Sequence, residues 1–162
     1  MKRVYLIRHG EAEFMGRGAR GDHGRVLTPE GVEQARHLGE LLAEAGIGVV
    51  LASTADRAAQ TASGMGLAAE VRLVEELYHA GAVGLLRALA GLDDAVDAAA
   101  LVAHAPGVPA LVDELAGDDP DPRAAAAALH HYPTAMASGI EFDGSWAELG
   151  VVPSRLFWAQ RG

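Results

Sequence analysis

The chain has 162 residues, half of them hydrophobic, with a net charge of −9 and no cysteine. Its length fits one compact domain over 1–162, and its apolar share suffices for a real core, which argues against general disorder. The acidic balance argues against a nucleic-acid partner, whose phosphates demand a basic face, and the missing cysteines remove disulfides, thiolate metal sites and cysteine nucleophiles.

Residues 3–8, "RVYLIR", read as a strand rich in β-branched and aromatic residues. The glycine-rich segment 11–27 reads as a loop. "TPEG" then opens a helix, with Thr28 as N-cap and Pro29 at its first position. Val32, Ala35, Leu38, Leu42 and Ala45 recur at helical spacing, and Gly46 would end the helix. "IGVVLAS", 47–53, is apolar throughout, as suits a parallel strand covered on both faces. A second helix is expected from about Ala55 to Gly66, capped by Ser53 or Thr54. "EVRLVEEL" supplies a weaker third strand and 80–91 a third helix. "AAALVAHAPG" is read as a fourth strand ending near Ala103, followed by the helix "VPALVDELAG" and an alanine-rich helix from Pro122 to His131. "TAMASGIEFDG" and "SRLFWAQ" are the last two strands, separated by a turn or short helix around Trp146. Alternating strands and helices predict an α/β three-layer sandwich: a mostly parallel central sheet of about six strands, helices on both faces, and an antiparallel edge from the late strands. No segment reaches the ~20 apolar residues of a membrane span, and the run after "MKR" is too short for a signal peptide, so a soluble, cytoplasmic protein is expected.

The chemistry-bearing residues cluster at strand ends. Arg8 and His9 follow the first strand, Ser53, Thr54 and Arg57 the second, Glu75, Glu76 and His79 the third, and His104 the fourth. Ligands of open α/β sheets bind outside the carboxyl ends of the strands, so a parallel sheet gathers these groups on one edge. Two arginines, two histidines and a helix N-terminus favour an anion, because guanidinium forks match phosphate oxygens and free N–H groups attract negative charge. Gly10 would let the backbone pass close to a ligand. No Walker-type sequence is present, so this is not a nucleotide phosphate loop, and there is no acidic cluster of the sort that holds magnesium. Neutral imidazole is a nucleophile, and neighbouring positive charge disfavours its protonation. His9 would then attack phosphorus while Arg8, Arg57 and His104 hold the phosphoryl oxygens.

The bland readings are specific too. His130 and His131 occupy adjacent helical positions about 100° apart, poor for one metal, and more simply complement a helix C-terminus. Arg17, Arg20 and Arg25 either steer an anion or solubilise the loop. Trp146 and Trp158 read as packing residues. His79 reads as a surface or supporting group before it reads as an acid, and of Glu75 and Glu76 one would be solvated and the other capping or paired.

"LIRHGEA" resembles the signature of the histidine phosphatase superfamily, the phosphoglycerate-mutase-like proteins. "ASTADRAAQTA" is similar to its second motif, "LVAHAPG" to its second-histidine motif, "GRVLTPEGVEQA" to the segment opening its first helix, and "YPTAMASGIEFDGSWAEL" to the C-terminal part of short SixA-type members. The matches span nearly the whole chain in order. The resemblance implies a phosphatase that needs no metal or organic cofactor, in which His9 becomes phosphorylated and Arg8, Arg57 and His104 form the phosphate pocket, acting on phosphohistidine of a protein. A phosphatase for small phosphate esters and a non-catalytic phosphate-binding module are the alternatives. Two departures stand out. Ala105 replaces a common asparagine, and the glutamate acid of larger members has no secure counterpart among Glu75, Glu76 and His79.

Overall fold

The computed structural model describes residues 1–162. Strands β1 (Lys2–Arg8), β2 (Val49–Ser53), β3 (Glu70–Val74), β4 (Ala98–Ala103), β5 (Met136–Phe142) and β6 (Ser154–Arg161) form one sheet in the order β3-β2-β4-β1-β5-β6. The first four are parallel to one another; β5 lies antiparallel beside β1, and β6 lies antiparallel beside β5 at the edge. The expected α/β sandwich is therefore the observed one.

Burial on both faces explains the continuous apolar runs of β1, β2 and β4. Val4 and Leu6 point into one core and Tyr5 and Ile7 into the other. The larger core lies under helices α3 (Ala82–Ala90), α4 (Gly107–Leu115) and α5 (Pro122–Ala128). The smaller lies under α1 (Pro29–Leu42) and α2 (Asp56–Gly64). Trp146, on a single 3₁₀ turn, is fully buried in the larger core, where its Nε1 donates to the Val96 carbonyl. Losing such a side chain costs about 3–5 kcal/mol.

Several expectations shift. In α1 the inward face holds Gly31, Gln34, Ala35, Leu38 and Leu42, while Val32 is exposed. The helix ends at Leu42, and Gly46 sits three residues past its cap with φ of 71°. Neither Ser53 nor Thr54 caps α2. Its N-cap is Ala55, and the Ser53 hydroxyl instead accepts from the Ala55 N–H. β3 stops at Val74 and continues as a 3₁₀ turn, Glu75–Leu77. α5 stops at Ala128, so His130 and His131 lie beyond it rather than in its last turn. The loop 11–27 contains a 3₁₀ segment, Gly18–Gly24, and is tied down by an Ala12–Leu27 bridge.

Candidate active site

The parallel register decides where the unusual residues meet. Arg8 pairs with Ala103 across β1 and β4, so His9 and His104 each stand one residue beyond paired positions. The His9 N–H donates to the Ala103 carbonyl at 3.1 Å, and the two imidazole rings lie 5.3 Å apart, centroid to centroid. β2 runs on the far side of β4 and ends at Ser53, which places Arg57, in the first turn of α2, over the same edge.

His9 is buried, and its Nδ1 lies 2.7 Å from the carbonyl of Gly10. A carbonyl only accepts, so Nδ1 carries the proton and Nε2 keeps a lone pair. Burial pushes the ring pKa down to about 3, against the pull of the Gly10 carbonyl, and His104, Arg57 and Arg8 lower it further. His104 is held down to about 4, first by burial and then by Arg57. Both rings are neutral near pH 7.

Arg8 donates one Nη to the Tyr132 carbonyl at 2.9 Å, and its Nε is buried without a protein partner. Arg57 is nearly inaccessible; its Nη1 donates to the backbone carbonyl of Asp22 at 2.8 Å and its Nη2 to the Asp22 carboxylate at 3.2 Å, while its Nε is also unpartnered. The buried, unpartnered donors Arg8 Nε and Arg57 Nε, together with the unpartnered His104 Nδ1, are what a multi-oxygen anion satisfies. No group of three or more His, Asp or Glu is placed to hold a metal ion.

Gly10 owes its identity to packing rather than to a ligand. A Cβ there would stand 2.9 Å from the Gly31 carbonyl oxygen of α1. The Gly10 N–H donates to Thr61 Oγ1 at 3.0 Å, and the Thr61 hydroxyl donates to the Arg57 carbonyl at 2.7 Å. One threonine thus locks the turn after β1 to the helix that carries Arg57.

The candidates for an acid lie outside this ring. Glu75 and Glu76 are exposed and their carboxylates make no hydrogen bond or ion pair, so neither side chain caps or pairs. His79 is exposed and stacks on Tyr78 at 4.0 Å. Ala105 is exposed just past His104. Arg17 pairs with Glu13, Arg20 with Asp56, and Arg25 with Asp22, so the loop arginines are each tied to a carboxylate.

Sequence reading missed Asp22 and Tyr78. The Tyr78 hydroxyl donates to the Asp22 carboxylate beside Arg57, and that hydrogen bond, with Arg25 and Arg57, holds the Asp22 carboxyl far below the usual carboxylate range. Arg25 is a local partner of Asp22, but nothing local marks Asp22 as part of the site, because Arg57 and Tyr78 lie 35 and 56 residues away. Thr61 stood inside a recognised motif, but its contact crosses 51 residues.

A six-stranded sheet thus carries two histidines and two arginines at one carboxyl edge. The family model of the histidine phosphatase superfamily (branch 1) matches residues 4–80. An uncharacterized protein of Mycobacterium leprae is 31% identical over 137 residues, 83% of this chain and 85% of that one. Among solved structures, a protein assigned as the phosphohistidine phosphatase SixA from Nakamurella multipartitia is 32% identical with a TM-score of 0.87, covering 99% of this chain and 95% of its own. The protein histidine phosphatase SixA in complex with tungstate is 28% identical with a TM-score of 0.74, covering 98% and 96%. The chain belongs to the histidine phosphatase superfamily. It is a phosphatase-type hydrolase with a SixA-like fold.

Proposed function

We propose that the protein removes the phosphoryl group from phosphohistidine carried by a protein, through a covalent phospho-His9 intermediate. One observation carries this reading: the Gly10 carbonyl accepts the Nδ1–H of a neutral, buried His9, which leaves Nε2 with its lone pair in a site where Arg8 Nε, Arg57 Nε and His104 Nδ1 have no protein partner.

The Nε2 lone pair attacks phosphorus and forms a P–N bond. The substrate ring, protonated by solvent on its other nitrogen, takes back the electron pair of its breaking P–N bond and leaves as neutral imidazole. Arg8, Arg57 and the Nδ1 side of His104 hold the phosphoryl oxygens as charge redistributes, work that dominates phosphoryl transfer. Water then attacks phosphorus and gives a proton back to solvent, the P–Nε2 bond breaks with its electron pair returning to His9, and inorganic phosphate leaves while His9 returns to its neutral form.

The leaving group favours phosphohistidine over an ester. A positioned acid is worth ~10²–10⁴-fold when an alkoxide must leave. Glu75, Glu76 and His79 stand exposed outside the ring, and Asp22 is held ionised. Imidazole leaves as a neutral base, its conjugate acid having a pKa of about 6.5, and needs no dedicated acid. The similarity to proteins described as phosphohistidine phosphatases points the same way.

The test is to react the enzyme with a phosphoramidate and trap the adduct. The expected adduct is acid-labile and base-stable, and vanishes in His9→Ala. Normal turnover by His9→Ala, or a large preference for esters in a parallel screen, would end this reading.

A further inference from the structure

His104 presents an asymmetric environment. Its Nε2 lies 2.8 Å from the hydroxyl of Ser53, whereas its Nδ1 is buried with no protein partner. Ser53 is completely buried at the end of β2. Its oxygen already accepts the Ala55 N–H at 3.2 Å.

Two arrangements fit the 2.8 Å contact. If His104 carried its proton on Nε2, it would donate to Ser53, and the Ser53 O–H would be left buried with no acceptor. If Ser53 donates to Nε2, its hydroxyl is satisfied in both roles and the ring proton falls on Nδ1. A buried hydroxyl without an acceptor is costly, so the second arrangement prevails. Burial keeps the ring neutral, so it has one N–H to place.

We propose that Ser53 is a positioning residue that sets the tautomer of His104: anchored by the Ala55 N–H, its hydroxyl donates to Nε2 and holds the ring proton on Nδ1, where it serves as a donor to a phosphoryl oxygen. The inference rests on the reading of His104 as part of the phosphate pocket. The serine at the end of β2 therefore acts through the histidine at the end of β4 rather than as a helix cap. A pocket histidine in the other tautomer would turn a lone pair toward an anion, which repels it.

The experiment is two-bond ¹H–¹⁵N correlation NMR of the histidine rings near pH 7, with His104 assigned by its loss in His104→Gln. The wild type is expected to show His104 protonated on Nδ1. Ser53→Ala is expected to move the proton toward Nε2 and to lower kcat by about tenfold, the scale of one hydrogen bond of ordinary net strength. Ser53→Thr, which keeps the hydroxyl, is expected to restore both. A wild-type His104 protonated on Nε2 overturns the proposal, and needs no variant to fold. An unchanged tautomer in folded Ser53→Ala overturns it as well. The reading of the pocket fails separately: if the tautomer is as expected but phosphoramidate turnover survives His104→Gln intact, the pocket assignment is wrong while the Ser53 effect stands.

Discussion

Asp22 grips Arg57 twice, through its backbone carbonyl at 2.8 Å and its carboxylate at 3.2 Å. A loop residue thus supplies a counter-charge to an arginine proposed to hold the phosphoryl group. Under that proposal the carboxylate and the phosphoryl oxygens compete for one guanidinium, and like charges repel. Asp22→Asn keeps the carbonyl contact and removes the charge. It is expected to tighten binding of inorganic phosphate or tungstate several-fold, read by calorimetry, with an unchanged circular dichroism spectrum. Weaker anion binding would mean that the carboxylate chiefly orients Arg57.

Arg57 itself sits at the start of a helix rather than in either apolar cluster. Arg57→Ala is expected to lower kcat/KM by about 10²–10³-fold, the scale for losing one preorganised charge-stabilising donor. Stability should fall by no more than about 1–2 kcal/mol, because the Asp22 carboxylate left behind is half exposed and can be hydrated. Kinetics beside chemical denaturation separate the two effects. Arg57→Lys should recover only part of the activity, since an ammonium lacks the planar fork.

Stability should fall as pH drops below about 6.5. His9 and His104 have folded pKa values of about 3 and about 4, below that of an unfolded histidine. Between those values and about 6.5 the unfolded chain binds more protons than the native one, so protonation favours unfolding. The contribution of each ring is fully present above pH ~6.5. It is lost at up to about 1.4 kcal/mol per pH unit as pH falls, to about 4 for His104 and about 3 for His9. Tm measured from pH 7 to pH 4 should decline less steeply in His9→Gln, whose side chain stays neutral. Parallel curves would contradict this assignment.

Close backbone approach makes two glycines structural. A Cβ on Gly10 would lie 2.9 Å from the Gly31 carbonyl oxygen, and one on Gly31 only 2.0 Å from that of Glu11. Gly10→Ala is expected to cost about 1–3 kcal/mol by overpacking, and Gly31→Ala more. Denaturant midpoints give the order. A Gly31→Ala protein as stable as wild type would show that α1 can shift without penalty.

Strand and helix alternation, the apolar runs of β1, β2 and β4, the Thr28 cap and the clustering of Arg8, His9, Arg57 and His104 at strand ends were all legible from residue order. These features are local: they depend on periodicity, on capping chemistry and on the rule that parallel strands share one carboxyl edge. The inward face of α1 was misread because Gln34 is buried for its hydrogen bond to the Glu11 N–H, not for hydrophobicity, while Val32 is left outside. The end of α5 was misread because alanine continues a helix by propensity past the point where packing supports it.

The amino-acid order by itself therefore determined which groups converge and that they suit an anion. Tertiary structure alone decided their states: the proton on His9 Nδ1 through Gly10, the partner of His104 through Ser53, and the counter-ion of Arg57 through Asp22. For His104 and Arg57 those partners lie 51 and 35 residues away, and a hydrogen bond or a charge acts over a few ångströms of space regardless of distance along the chain.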